Sequence, residues 1–370
     1  MAITCSTKPL VNAVSQVVID SNINKFFRKS GLIQITATFD TIRINAEANS
    51  IVSEATLHGV GTDADEVVTI FVDALQFKKL ISTFTSDTVT LDFNNTALLI
   101  KSGRSKFTIP KMADESEVAL NRPSDDIVGV DGVAISDEKW KSIKARQMFA
   151  VADGTEYPIY RYVWFGNNGE VLTGDYAKSL FTRSNNGDMP KSCLLPATII
   201  NLITNLPKTN TKLYSNGENF IVTYESDSYK FISEFTPKYE SDEFGSYSAD
   251  IILDICAYET DENKGIDINC EQISKFLNQI DILNTTPDTR LTIIVEGNEC
   301  TMQSRTSEMR FEVKPQESNY TVTFALDMVK AVIAKYTGTV KLYPYMVGDV
   351  INGAKISDGE VVTIFGGVED

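Results

Sequence analysis

The sequence predicts an α+β protein of three domains, each built from two βαβββ units that set their helices on one face of antiparallel sheets. Three observations carry the prediction. A short apolar stripe with helical spacing recurs six times along the chain. One pattern of short alternating strands recurs behind the stripes. The length, 370 residues, suits two or three domains that each bury their own core.

Leu10, Ala13, Val14 and Val17 form the first stripe. Phe77, Leu80, Ile81 and Phe84 form the second, led by the strand VVTIF and opened by Asp73 and Gln76, which resemble a capping box. Behind it come VTLDF, ALLIK and SKFTI, parted by the turn residues Asn94, Asn95 and Gly103. The third stripe is weak: it starts at Trp140 and Ile143, and Lys144 and Gln147 break it. Ser136, Asp137 and Glu138 still mark a helix start there, because acids suit a helix N-terminus. Ile199, Leu202, Ile203 and Leu206 form the fourth, followed by TKLYS, NFIVTY and SYKFISEF with Asn216-Gly217 at the first turn. Ile273, Phe276, Leu277 and Ile280 form the fifth, followed by RLTIIVE, CTMQS and MRFEV with Gly297-Asn298 at the first turn. Val329, Val332, Ile333 and Tyr336 form the sixth, led by YTVTFA.

Two such units pair into a domain with one continuous sheet and both helices on one side. The acidic stretch ADESEVALNRPSDD carries Pro123 and suits an exposed linker. A second break falls near residue 248, between the polar stretches TPKYESDEFGSYSAD and ETDENKG. The expected domains are therefore 1–123, 124–248 and 249–370.

Composition narrows the chemistry. With 42% hydrophobic and 23% charged residues, the chain reads as soluble and globular, and no run approaches the roughly 20 apolar residues of a membrane span. The start, MAITCSTKPLVNAVSQ, has neither a basic n-region nor an unbroken apolar run, so an intracellular, cytoplasmic protein is expected. Cys5, Cys193, Cys256, Cys270 and Cys300 are odd in number and scattered, which predicts reduced, buried thiols rather than disulfides or a zinc site. His58 is the single histidine and lies in the strand-like run SEATLHGV, so Ser-His catalysis lacks its base. No P-loop, DxDxDG loop or HExxH motif is present. No catalytic group, metal or cofactor is expected.

Fifty acidic against 34 basic residues give a net charge of −16, which opposes tight static binding to nucleic acid. The placement of the lysines matters more than the sum. Lys78, Lys79, Lys141, Lys275 and Lys330 stand one or two positions after the first residue of their stripe, about 100° or 200° around the helix from it. If the stripes face the sheets, these lysines form basic opposite faces suited to sequence-independent phosphate contact.

Residues 67 to 109, with the stretch SGRSKF from Ser102 to Phe107, resemble the first domain of the bacterial DNA polymerase III beta subunit, the sliding clamp. KWKSIKARQMFAVADGTEYPIYRYVWF resembles the first helix and following strand of the family's second domain. VLTGDYAKSL falls where the family has a TDGHRLA-like turn, with Tyr176 and Ala177 in place of the usual His and Arg. The C-terminus, VVTIFGGVED, runs past the usual end and lacks a Met-Pro-Met-like finish, a divergence that suits a phage-encoded clamp.

The resemblance implies a non-catalytic processivity factor. Two chains would close head to tail into a ring around duplex DNA and tether a replicative polymerase. It places Lys25, Arg28, Lys29 and Lys144 beside the helix lysines as DNA contacts. It also implies a cleft on the second domain that takes short peptide motifs of the polymerase and the clamp loader. The matching positions are Thr173, Gly174, Asp175, Tyr176 and Ala177 on the turn, Pro237 and Tyr239 on the connector, and Val362, Ile364 and Phe365 on the last strand. Two other classes fit a repeated α+β chain: a structural or virion protein, and an acidic DNA mimic that inhibits a DNA-binding protein.

Overall fold

The computed structural model describes residues 1–18, 31–48, 51–63, 65–113, 118, 120–124, 133–134, 136–152, 158–166, 169–187, 189, 192–207, 210–215, 219–236, 249–257, 264–283, 289–316, 319–347 and 350–368. All six repeats are present. The first runs β1 (Ala2–Ser6), α1 (Thr7–Val17), β2 (Leu32–Ala37), β3 (Thr41–Ala48), β4 (Ile51–His58) and a short β5 (Val60–Gly61). The second runs β6 (Val68–Asp73), α2 (Ala74–Ile81), β7 (Thr88–Phe93), β8 (Ala97–Ser102) and β9 (Ser105–Pro110). The third has β10 (Val133–Ala134), α3 (Asp137–Arg146), β11 (Tyr162–Phe165), β12 (Val171–Asp175) and β13 (Leu180–Ser184). The fourth has β14 (Cys193–Pro196), α4 (Ala197–Asn205), β15 (Thr211–Ser215), β16 (Phe220–Glu225) and β17 (Tyr229–Phe235). After an added helix, α5 (Ala249–Ala257), the fifth has β18 (Ile266–Asn269), α6 (Cys270–Leu283), β19 (Arg290–Glu296), β20 (Glu299–Gln303) and β21 (Glu308–Glu312). The sixth has β22 (Tyr320–Ala325), α7 (Leu326–Ile333), β23 (Thr339–Val347), β24 (Val350–Ser357) and β25 (Val361–Gly366).

Strand pairing corrects the expectation of one continuous sheet per pair of repeats. Each leading strand crosses into the sheet of the other repeat. β1 pairs with β7 and β6 with β2; β10 pairs with β15 and β14 with β11; β18 pairs with β23 and β22 with β19. A strand joined through a helix to the next strand of the same sheet would enter it parallel. The exchange keeps every one of these pairs antiparallel.

Two more pairings join repeats end to end. β17 lies along β4 from Tyr229↔Leu57 to Phe235↔Ile51, and β13 lies along β25 from Leu180↔Phe365 to Ser184↔Val361. The result is two eight-stranded sheets, β10-β15-β16-β17-β4-β3-β2-β6 and β14-β11-β12-β13-β25-β24-β23-β18. The sheets β5-β1-β7-β8-β9 and β21-β20-β19-β22 stay separate, and among the described residues β9 and β21 have nothing on their outer edges. The chain gathers into two compact lobes, residues 1–137 with 198–237 and residues 138–197 with 238–370.

The stripes are the core. Leu10, Ala13, Val14, Val17, Phe77, Ile81, Trp140, Ile143, Ile199 and Ile203 are all buried. In lobe two, Ile273, Phe276 and Ile280 of α6 and Val329 and Ile333 of α7 share one cluster with Leu291, Ile293 and Phe324 of the sheet below. Each such side chain stabilises the fold by about 1.5–3 kcal/mol relative to exposure. All five cysteines are free and buried, as the sequence predicts. Burial pushes the thiols of Cys5, Cys256 and Cys300 up to about 12, and that of Cys270, beside Glu271, to about 11. None of these four is a thiolate at neutral pH.

Candidate functional site

The turn that the sequence singles out lies in lobe two. β12 ends at Asp175, a single helical turn covers Tyr176–Lys178, and Ser179 returns the chain with φ of 48°. The Asp175 carboxylate accepts from the Lys178 backbone N–H at 3.3 Å and pairs with Lys178 Nζ at 2.8 Å, which fixes the turn. Tyr176 stands outside, 46% exposed. Its ring stacks on Tyr160 at 6.2 Å between centroids, and Tyr160 meets Phe181 edge-on at 6.2 Å. Gly174 is required beneath them, since a Cβ there would stand 2.7 Å from the Phe181 ring.

The buried support of this turn is polar. Gln147, which breaks the third stripe in sequence, is fully buried at the end of α3. Its Nε2 donates to the Val171 carbonyl at 3.0 Å and to Thr182 Oγ1 at 3.1 Å, and its Oε1 accepts from Ser184 Oγ at 2.8 Å. Thr173 Oγ1 donates to the Gln147 carbonyl at 3.0 Å. A buried amide with this many partners is a tie between α3 and the strands β12 and β13, not an interruption of a helix face. Gln147→Leu strands several of these groups at about 1–3 kcal/mol each, so thermal unfolding is expected to show a loss of about 2–4 kcal/mol.

Beside the turn, lobe two holds a cleft of about 620 Å³. One wall is apolar: Tyr176, Phe181, Ile255, Tyr345 and Ile364. Val322, Val350, Ile351 and Val368 add further apolar lining, and Ser179, Thr321, Thr323 and Asn352 supply its polar groups. A Cβ on Gly366 would meet Ser179 Cβ at 2.6 Å, so only glycine lets the last strand approach the turn this closely. No Asp, Glu, Lys or Arg is among the described residues that line it.

Of the positions expected at this cleft, Tyr176 and Ile364 line it. Thr173 is buried in the Gln147 network, Asp175 is buried at the start of the turn with Lys178 as its partner, and Ala177 lies exposed on the turn. Val362 packs with the Tyr160 and Ile252 cluster. Phe365 belongs to the core instead, its ring 4.9 Å from Phe324. The strand alternation explains this: Ile364 and Phe365 are neighbours and so point to opposite faces. Pro237 and Tyr239 lie outside the described residues. The helix α5 supplies Ile255, and Phe181, Tyr345 and Val350 also line the cleft, none of which the sequence singled out.

The helix cations are placed unequally. Lys79, Lys141 and Lys275 are exposed, and Lys144 is half-buried. Half-buried Lys78 donates from Nζ to the Val18 carbonyl at 2.7 Å, at the C-terminal end of α1. Lys330 pairs with Asp281 at 2.6 Å, so part of its charge is answered within lobe two. Lys25, Arg28 and Lys29 lie outside the described residues.

No protein-family model matches the sequence, and no curated protein matches it. Solved structures do. A protein assigned as a DNA polymerase III beta subunit of Eubacterium rectale is 13% identical, with a TM-score of 0.76 over 100% of both chains. The DNA polymerase sliding clamp of Caulobacter crescentus is 14% identical, with a TM-score of 0.74 over 100% of both. The Helicobacter pylori beta clamp, solved bound to a DNA ligase peptide, is 15% identical, with a TM-score of 0.70 over 100% of both. The chain has the three-domain fold of these beta subunits along its whole length.

Proposed function

We propose that two copies of this chain close head to tail into a ring around duplex DNA, and that the ring tethers a replicative polymerase without catalysing a reaction. The pairing rule between repeats carries the proposal. Within the chain, the last long strand of repeat 1 joins that of repeat 4, and that of repeat 3 joins that of repeat 6. The same step, taken once more, joins repeat 5 to repeat 2 of another copy, β21 to β9. Applied twice, it closes six domains, 1–123, 124–248 and 249–370 from each chain, and leaves neither strand as an open edge.

The two edges differ in charge: Arg104 and Lys106 stand at β9, whereas β21 and its neighbour carry Glu308, Glu312 and Glu299 with one cation, Arg310, which pairs with Glu308 at 2.6 Å and with Glu299 at 3.6 Å. Apolar groups accompany both: Phe107 on β9, stacked on Phe84 at 5.4 Å, and the exposed pair Ile282 and Leu283 at the end of α6. The fold likeness supports the same reading, as does the peptide seen on the Helicobacter pylori clamp. The cleft at Tyr176 and Ile364 would take short peptides of the polymerase and the clamp loader. Such a ring works on the nucleoid in the cytoplasm, or in a host cytoplasm for a phage-encoded clamp.

Sedimentation at micromolar concentration is expected to give a dimer of about 82 kDa, twice the 40.9 kDa of the chain. Electron micrographs are expected to show a closed ring with a central hole. A stable monomer or a trimer would contradict the stoichiometry that the pairing rule demands.

A further inference from the structure

Among the described residues three helices lie in lobe one, and their sequences hold no acidic residue: TKPLVNAVSQV in α1, ALQFKKLI in α2 and ATIINLITN in α4. In a chain with 50 acidic residues this is a sharp departure. The other repeat helices lack it, for α3 carries Glu138, α6 carries Glu271 and Asp281, and α7 carries Asp327.

Between α1, α2 and α4 lies a cleft of about 250 Å³. Asn12, Ser15 and Gln16 line it from α1, Lys78 from α2, and Asn201 and Asn205 from α4. The stripes explain why. Leu10, Ala13, Val14 and Val17 bury one side of α1, and Ile199, Ile203 and Leu206 bury one side of α4, so the amides and hydroxyls are turned outward. Lys78 is held in place by its 2.7 Å bond to the Val18 carbonyl. Gln16 bonds the Tyr229 hydroxyl at 2.8 Å through Nε2, and that hydroxyl can donate as well as accept, so the amide can serve either way round.

A cleft of amide, hydroxyl and ammonium donors with no carboxylate among its lining residues fits an anionic oxygen. We infer that it seats the backbone phosphates of duplex DNA, and that lobe one makes the main contact with the duplex rather than Lys275 and Lys330. This rests on the proposed reading of the chain as a ring around DNA. Amide and hydroxyl contacts to phosphate carry no sequence information and release no counterions, so they suit a protein that must move along DNA. The net negative chain then needs few lysines at the contact: Lys8, Lys78 and Lys79 are the cations of these three helices.

The test measures the full-length protein against a short linear duplex over a range of salt. Asn201 and Asn205 are exposed, so Asn201→Asp with Asn205→Asp is expected to leave the fold intact, which a thermal melt of the double variant checks. This double variant is expected to weaken duplex binding about tenfold or more at low salt, while Asn201→Gln with Asn205→Gln keeps most of it. The wild-type salt slope is expected to be no steeper than about 5, the limit set by three lysines from each of the two chains. Lys275→Glu with Lys330→Glu is expected to change affinity less than about twofold. Equal losses in the two lobes, or an Asp variant that binds like wild type, would overturn the inference. Inorganic phosphate at matched ionic strength is expected to compete with the duplex. If it binds the cleft while the duplex does not, the seat belongs to free phosphate and the DNA assignment fails. Retention on circular DNA reports the ring separately. A retained ring with an unaffected Asp variant overturns the seat alone, and a chain that binds the duplex through the cleft but is never retained overturns the ring alone.

Discussion

Replacing Ile282 and Leu283 with Asp is expected to convert the proposed dimer into monomers. These residues are 80% and 62% exposed at the end of α6. Among the described residues no other repeat helix ends on an exposed apolar pair: Val17, Ile81, Leu206 and Ile333 close their helices buried. An exposed Ile-Leu pair in the repeat that also ends in a free strand edge marks a surface meant to be covered. Burying each side chain supplies about 1.5–3 kcal/mol, and a ring of two chains has two such interfaces. Removing four contacts therefore costs the dimer about 6–12 kcal/mol, at least about four decades in Kd. Stability of the monomer should hardly change, since neither side chain belongs to its core. Sedimentation with a parallel thermal melt checks both halves of this expectation. A variant that stays dimeric with an unchanged melt would place the interface elsewhere.

Much of the fold was legible because burial writes a period into the chain. The stripe of Leu10, Ala13, Val14 and Val17 could only be one face of a helix, and all four are buried. The exchange of leading strands was not legible. Alternation in YTVTFA tells which side chains of β22 are buried, but either neighbour could receive its backbone, and the choice of β19 is made by topology. Gln147 misled for a different reason: a polar residue at a stripe position reads as a break until its partners, Val171, Thr182 and Ser184, are in view. The helix α5 carries its own signal in Ile251, Ile252, Ile255 and Cys256, spaced for one helical face, but it stands outside the six repeats. The cleft was half legible. Tyr176 and Ile364 came from the family resemblance, whereas Phe181, Ile255 and Tyr345 come from three distant stretches that only the folded sheet brings together.

That composition of the cleft sets the second large effect. Substituting Tyr176→Ala and Val350→Asp is expected to abolish capture of a partner peptide while the proposed ring and its proposed hold on DNA remain. Ile364 is the less useful target: it is 2% exposed, and truncating it removes core packing at about 2–5 kcal/mol, which confounds any loss of binding. Tyr176 and Val350 are 46% and 62% exposed, so neither change opens a cavity. An aromatic anchor in a desolvated pocket commonly carries about 2 kcal/mol or more of binding, and a carboxylate set into an uncharged wall adds a desolvation cost. Together they should weaken a labelled peptide from the polymerase C-terminus about 100-fold or more, read by fluorescence anisotropy. Because no Asp, Glu, Lys or Arg is among the described residues that line the cleft, wild-type affinity for a neutral, apolar peptide should also change little with salt, unlike the duplex contact. Peptide affinity that survives the double substitution would remove the cleft from the tethering role. Affinity that falls steeply with salt would mean that charged residues outside the cleft hold the partner.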